Sequence, residues 1–309
     1  MNLEQLRGFV EVARWEHFTR ASEHLHLAQP SLSRQISTLE RELGAELFHR
    51  ARGHIALTAA GETLLPRAQR MLAEAEAIRD EMGELAGLRR GRVRLGAPPT
   101  LCVSLVAEAI SSFHGAHPAV DLHLTEGGSR LLVEQLAVGA VDIALITASD
   151  GLPPAGVSLT QTPLLAEELV VVSAATQPPL SANQHLDLEQ LALLPLIGFD
   201  ESYELRAITD AVFRAADLTP NLVLEGAEME SALRFVERGM GVAIVPAMVL
   251  LDRPTLRSIR LSHQTMRRTV SLAHRSDVTP AVAVAAMRKT ILATAADVAR
   301  RDPAITSLI

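Results

Sequence analysis

The sequence predicts an α/β protein with an all-α/winged-helix N-terminal domain: short helices with a small β-wing, one long helix, then a two-lobed α/β domain. Three observations predict it. Apolar residues recur at helical spacing through residue 43, and a second apolar seam with steps of four and three runs from 64 to 85. From residue 93 onward, short apolar runs alternate with helical patterns. A length of 309 residues with 48% hydrophobic content suits about two domains, each with a sizeable core.

Leu3, Leu6, Phe9, Val10 and Ala13 share one face of a first helix, Ala21 and Leu25 lie on a short second, and Leu32, Ile36, Leu39 and Leu43 mark a third. Gly44 stands where a glycine stops a helix. The short link His26, Leu27, Ala28 makes the last two a helix-turn-helix, and Arg50 to Leu57, with Gly53 at its centre, reads as a wing. A long helix starts at Ala59. Its residues Leu64, Ala68, Met71, Ala75, Ile78, Met82 and Leu85 form a heptad seam, the pattern of a helix that pairs with another and so dimerises the chain. The same pattern also suits one amphipathic helix packed on its own domain. Pro66 should bend this helix or fix where its regular part begins, and Gly87 with Arg89, Arg90 and Gly91 should end it.

Candidate strands follow at Val93 to Ala97, Val120 to Thr125, Ile143 to Ile146, Leu169 to Ser173, Leu196 to Phe199, Leu222 to Glu225, Val242 to Val245 and Val270 to His274. Strands that alternate with helices imply βαβ units and a mostly parallel sheet. A faint repeat runs through this part. LLVEQLAVGAVDIALI and ALRFVERGMGVAIVP both read helix, glycine, buried strand, with Gly139 and Gly239 in register, as two similar lobes would.

Composition narrows the function. The N-terminal residues alternate charge with apolar positions and show no secretory leader pattern, and no run approaches a membrane span, so a cytoplasmic protein without a membrane partner is expected. The single cysteine, Cys102, excludes an internal disulfide and a cysteine-based zinc site. A net charge of -7 argues against a general nucleic-acid coat, and residues 1 to 58 carry seven arginines against seven glutamates. Any DNA affinity therefore rests on where charges sit. No GxSxG, HExxH, Walker or DxD pattern occurs, so neither catalytic residues nor a metal or other cofactor are expected. Glu167, Glu168, Glu228 and Glu230 read as helix caps or solvent-facing groups.

The segment from Ala21 to Gly61, with Gln29-Pro30, Leu39-Glu40, Leu43-Gly44, Leu47-Phe48 and Leu57-Thr58, strongly resembles the LysR-type transcriptional regulator signature. The match is ungapped over about forty residues. The resemblance implies a winged helix-turn-helix DNA-binding domain over 1-58, a linker helix over 59-88 and a periplasmic-binding-protein-like effector domain over 89-309. Lobe I would comprise 91-162 and 266-309, lobe II 163-265, with crossovers near Pro163 and His263. It implies as partners double-stranded promoter DNA, a small-molecule effector, further copies of the chain as dimer and tetramer, and RNA polymerase if the protein activates. Two residues depart from the pattern. Ala28 replaces a common serine or threonine, removing a capping hydroxyl from the third helix worth about 1 kcal/mol, and His17 stands where a small residue is frequent.

On a helical wheel the third helix turns Pro30, Arg34, Ser37, Thr38 and Arg41 away from its leucines. Gln29, Pro30, Ser33 and Arg34 are the expected base contacts, with Ser37 and Thr38 near bases or phosphates, because arginine grips guanine and glutamine grips adenine in the major groove. Arg50, Arg52 and His54 on the wing suit phosphate or the minor groove, and Glu40 is expected to fold back against its own domain. A solvated helix face has the same composition; the resemblance favours DNA.

In two-lobed α/β binding proteins ligands sit against strand C-termini and helix N-termini. Pro99 and Thr100 after the first strand, Ser129 after the second, and Ser202 and Tyr203 in lobe II are the effector candidates. Each hydroxyl also suits an ordinary helix cap. Helix N-termini favour an anionic effector with Arg130 as a counter-charge, whereas Asp200 and Glu201 oppose one. Cys102 reads as a packing residue rather than a redox sensor. A solute-binding protein and a ligand-independent DNA binder are the competing readings. One test follows from the helical wheel: Arg34→Ala should weaken binding to a cognate site by about 1 to 3 kcal/mol with the fold intact, read by gel-shift titration, and unchanged affinity would refute the assignment.

Overall fold

The computed structural model describes residues 1–51, 54–85, 91–148, 159–183, 185–200, 204–262 and 266–309. Arg52, Ser202, Tyr203 and His263 fall outside them, as do Gly87, Arg89 and Arg90. Two compact units divide the chain: residues 1–91 with 134–141, and residues 92–133 with 142–309.

The first unit opens with α1 (Leu3–Trp15), α2 (Phe18–His24) and α3 (Gln29–Leu43). Asn2 and Gln5 close a capping box at the start of α1: each side-chain oxygen accepts the other residue's backbone N–H, at 2.9 and 2.8 Å. His17 caps α2, its Nδ1 accepting the Thr19 amide at 3.2 Å, so the unusual residue at this position does a cap's work as long as Nδ1 carries no proton. Ala28, the N-cap of α3, makes no side-chain cap bond, as its methyl group dictates. Gly44 ends α3 at φ 68°. Strands β1 (Phe48–Ala51) and β2 (His54–Leu57) pair antiparallel as the wing, and α4 (Ala59–Leu85) follows.

One core holds these elements. Leu6, Phe9, Val12, Ala21, Leu32, Ile36, Leu39, Leu47 and Phe48 are buried together with Ala68 of α4, and the Phe9 and Phe48 rings meet at 5.3 Å. The turn into α4 is fixed from several sides. The Thr58 hydroxyl accepts the Gly61 amide at 3.1 Å and donates to the Glu46 carbonyl at 2.6 Å, and the Thr58 amide donates to the Leu47 carbonyl at 3.0 Å. A Cβ on Gly61 would stand 2.3 Å from that Leu47 carbonyl oxygen, so only glycine fits.

The second unit is built on a mixed sheet. Its strands are β3 (Arg92–Ala97), β4 (Asp121–Glu126), β5 (Ile143–Ala148), β6 (Leu159–Ala174), β7 (His185–Leu186), β8 (Leu196–Phe199), β9 (Leu222–Ala227), β10 (Ala243–Pro246), β11 (Leu256–Leu261), β12 (Arg267–Arg275) and β13 (Ile305–Ser307). Among the described residues the main sheet runs β4-β3-β5-β12-β6-β11-β7, with β10 and β13 also paired to β6, while β8 and β9 pair apart. Helices α5 (Pro99–Leu101), α6 (Ala107–Ala116), α7 (Ser129–Val138), α8 (Leu188–Leu193), α9 (Glu204–Ala215), α10 (Met229–Glu237) and α11 (Val282–Ala299) connect the strands. Between α5 and α6 the chain widens into a π-type turn at Cys102–Val106, kinked at Ser104.

The sheet is not mostly parallel. β3 pairs parallel with β4 and β5, but β12, β10, β11 and β13 all run antiparallel to β6. The reason is topological: the chain leaves one lobe along β6 and returns along β12, so the two strands must be opposed. β6 continues unbroken through Pro163, because a bulge there, where Ser271 faces Pro163 and Val270 faces Leu165, spares the missing N–H. Its pairing with β12 ends at Glu168, and pairing with β10 starts at Leu169. Strands β7, β11 and β13 were not predicted. β11 reads LRSIRL, and its arginines mask the alternation.

The repeat seen in the sequence has one structural cause. Gly139 and Gly239 both adopt left-handed backbone, at φ 73° and 77°, where their helices stop. The following amides reach back identically, Ala140 to the Gln135 carbonyl at 2.9 Å and Met240 to the Phe235 carbonyl at 3.1 Å, and a buried strand follows each. Gly139→Ala and Gly239→Ala should each destabilise the fold by about 1–2 kcal/mol in urea unfolding. The two should cost about the same, since the one close atom a Cβ on Gly239 would meet, Gln177 Nε2 at 2.6 Å, ends an exposed flexible side chain that can swing away.

Candidate functional site

The face of α3 opposite the core carries the residues singled out for DNA. Leu32, Ile36 and Leu39 point inward and are wholly buried. Gln29, Pro30, Arg34 and Ser37 are exposed and Ser33 and Thr38 half-buried. Thr38 is not a free hydroxyl, since Arg41 Nη2 reaches its Oγ1 at 3.5 Å. Glu40 does fold back, its Oε1 accepting the buried Leu47 amide at 3.0 Å and so tying α3 to the wing. His54 and Arg50 lie on the wing strands, but their side chains, like Arg52, are outside what the structure describes.

Helix α4 divides its seam between two environments. Ala68 is buried in the unit's own core, and Leu64 packs against that core. Ala75 is half-buried, whereas Met71, Ile78 and Met82 are 44%, 52% and 54% exposed. The first turns thus serve the fold, and the later ones leave large apolar side chains in water. Of the Leu85 side chain nothing is described.

In the second unit, the C-terminal ends of β3 and β5, neighbours in the sheet, carry the polar groups. Pro99 opens α5, and Thr100 is 3% exposed. The Thr100 hydroxyl accepts from Arg268 Nη1 at 3.0 Å, and Arg268 Nε donates to Glu167 Oε1 at 2.8 Å. Arg268 Nη2 lies 2.7 Å from the same carboxylate oxygen but off the line of a hydrogen bond. The other Glu167 oxygen accepts the Met248 amide at 3.1 Å. Glu167 is therefore no solvent-facing group: it is fully buried, inside a pair that links the two crossover strands β6 and β12, and through the Met248 amide its second oxygen caps the short 3-10 turn Ala247–Leu250. Glu168 is likewise held, between Arg260 at 3.0 Å and Arg267 at 2.8 Å. Glu228 is the N-cap residue of α10 but makes no side-chain cap bond, and Glu230 pairs with Arg253.

Ser129 opens α7 and is buried. Its Oγ accepts the Thr147 amide at 3.0 Å and lies 3.1 Å from both the carbonyl and the hydroxyl oxygen of Thr147. The Thr147 hydroxyl donates to Glu204, the first residue of α9. Thr100 and Ser129 thus share one sheet end, and Arg130 is exposed. Sequence reasoning missed Thr147, Glu204, Glu167 and Arg268. The first two carry no motif, and the last two are 101 residues apart, joined only by strand register.

Cys102 is half-buried beside this end, its Sγ 3.7 Å from the Ala97 carbonyl. Burial, then the charge and hydrogen bond of Glu126, push its thiol up to about 12, which leaves almost no thiolate near neutrality. Among the described residues no group of His, Cys, Asp or Glu could hold a metal ion, and no helix is long and apolar enough to cross a membrane.

Residues 3–62 match the family model for bacterial regulatory helix-turn-helix proteins of the lysR family, and residues 86–296 the LysR substrate binding domain. The chain is 33% identical over 273 residues to the uncharacterized HTH-type transcriptional regulator YybE of Bacillus subtilis (strain 168), covering 88% of this chain and 92% of that protein. It is 32% identical over 288 residues to the HTH-type transcriptional regulator IlvR of Caulobacter vibrioides, with 91% and 94% covered. Among solved structures, a full-length OxyR variant from Pseudomonas aeruginosa is similar at TM-score 0.70 and 27% identity, covering 94% of this chain and 98% of that one. CbnR shares the fold at TM-score 0.66 and 23% identity, with 96% and 99% covered.

The buried pair yields a double-mutant test. Arg268→Met should destabilise the protein by about 3–5 kcal/mol because it strands the Glu167 charge, whereas Arg268→Met with Glu167→Leu should recover only part of that loss, since the buried Met248 amide then lacks its acceptor, measured by urea unfolding.

Proposed function

The chain belongs to the LysR family of bacterial helix-turn-helix transcriptional regulators, and we propose that it reads promoter DNA through α3 under the control of a small molecule bound between its effector lobes. The observation that carries this reading is α3 itself. Leu32, Ile36 and Leu39 are locked into the core, Leu43 at its C-terminal end is 43% exposed against expectation because the helix there has run past the core, and Gln29, Pro30 and Arg34 face outward at its N-terminal end, within a segment that matches the family's helix-turn-helix model. Base edges in the major groove take an exposed arginine or glutamine at such a helix start. Ser33, Ser37 and Thr38 fit the adjoining bases or phosphates, and the wing residues Arg50, Arg52 and His54 fit the backbone or minor groove.

A single α3 and wing bury too little surface for tight, selective binding. The seam of α4 supplies the remedy. Met71, Ile78 and Met82 gain by burial against the same helix of a second copy, and a dimer then spans two half-sites. Pairing of dimers gives a tetramer, and an activator would in addition touch RNA polymerase. The chain acts by binding rather than by catalysis.

The effector seat proposed is the end of β3 and β5, where Pro99, Thr100 and Ser129 gather, with Ser202 and Tyr203 of the other lobe as further candidates. Regulation requires the effector to bind one lobe arrangement better than the other. The Arg268–Glu167 pair supports such coupling, since it joins Thr100 to the Met248 amide across the crossover strands.

Selection of bound duplexes from a random pool by the purified full-length protein, with and without cell metabolites, tests the reading. Enrichment of a two-fold-related site is expected; recovery of no preferred sequence would sink it. Ile78→Arg with Met82→Arg should convert the dimer to monomer in sedimentation, keep the helical content, and weaken site binding on the order of 100-fold.

A further inference from the structure

A carboxylate of the protein's own meets the end of β5. Thr147 lies one residue before the end of β5 in one lobe and is buried; Glu204 starts α9 in the other. The Thr147 hydroxyl donates to Glu204. Ser129 packs against that hydroxyl: its Oγ takes the Thr147 amide, donates to the Thr147 carbonyl and lies 3.1 Å from Thr147 Oγ1, where either hydroxyl can donate. Of the two acceptors within reach of Thr147 Oγ1, Ser129 Oγ and the Glu204 carboxylate, the carboxylate is the stronger and takes the proton. A hydroxyl at 2% exposure that loses its acceptor must find another, or the fold bears the cost of an unmade bond. A bond to an ionised acceptor is also of the stronger kind.

We propose that Glu204 is a tethered ligand. Its carboxylate fills a seat made by Thr147 and Ser129 and so pins α9 to the opposite lobe, and the group that replaces it on effector binding is a small carboxylate. The second half of this statement rests on the effector reading of the cleft given above; the first half stands on the hydrogen bonds alone. An anion is the class indicated. A cation would add to Glu204 and leave the Thr147 bond intact, whereas an anion must take the Thr147 proton for itself and so break the bond from Thr147 to α9. Only the second event differs between a pinned and a released lobe, which is what a ligand needs in order to shift their balance.

Chemical rescue in the full-length protein tests it. Glu204→Ala should lower the thermal midpoint by about 2–4 °C. Sodium acetate should restore most of that shift, and sodium chloride at equal ionic strength should not. Adding Thr147→Val should abolish the acetate effect. Acetate acting no better than chloride, or acting equally well without the Thr147 hydroxyl, overturns the proposal. If Glu204→Ala does not fold, Glu204→Gln serves, since an amide oxygen competes for the Thr147 proton less well than a carboxylate; acetate should again exceed chloride, and equality overturns it. The promoter selection separates the two readings: failed rescue with selective, metabolite-sensitive DNA binding removes the tethered ligand and leaves the regulator standing.

Discussion

The antiparallel pair of β6 and β12 is the constraint on which the second unit depends. Between them they carry the chain from one lobe to the other and back, and every other strand of the second lobe's sheet is hung on β6 or on a strand paired to it. A long strand shared by two lobes serves both by exchanging partners along its length: β12 as far as Glu168, with β13 beside it at 165–167, then β10 from Leu169 and β11 from Val171. At the exchange the strands bury an ion pair, Arg268 with Glu167, the carboxylate wholly out of water. Such a pair adds little net stability over an apolar one, but it tolerates only a narrow geometry. Placed where the lobes meet, it holds Thr100 and the Met248 amide in a fixed relation to the crossover.

The first unit is governed by a different economy. Its core is small, so each contact between elements is made by a residue with no slack. Glu40 satisfies the Leu47 amide, Thr58 satisfies the Gly61 amide and holds the Glu46 carbonyl, and Gly61 leaves room for the Leu47 carbonyl. These bonds converge on the turn between α3 and the wing and on the start of α4. They anchor the C-terminal end of α3, while Leu32 buries its first turns in the core and Gln29, Pro30 and Arg34 face outward. The missing side-chain cap at Ala28 falls at the end that carries these outward residues.

Electrostatics along the crossover strands follow from pairing rather than from net charge. The cations Arg260, Arg267 and Arg268 are each matched by Glu167 or Glu168. The carboxylate that faces the opposite lobe, Glu204, is answered by a hydroxyl. Cys102 sits beside a carboxylate, Glu126, in a setting that suppresses the thiolate. Chemistry at this end of the sheet is therefore that of hydrogen bonding and oriented hydroxyls, in keeping with a seat for a ligand.

The sequence by itself determined the local structure. Helical periodicity placed α1 to α4, glycines marked the stops at Gly44, Gly139 and Gly239, and the outward face of α3 was legible because its leucines repeat at 3.6 residues. Thr100 and Ser129 could be named because a hydroxyl after a strand and before a helix is a local pattern. Tertiary structure alone decided what depends on distant partners. It made the sheet mixed, because strand direction follows from how the chain crosses between lobes. It brought Arg268 to Glu167 and Thr147 to Glu204, pairs 101 and 57 residues apart that share no spacing a reader could find. It also divided the α4 seam, burying Ala68 and leaving Ile78 and Met82 in water, since one apolar stripe serves equally to pack inward or to await a partner.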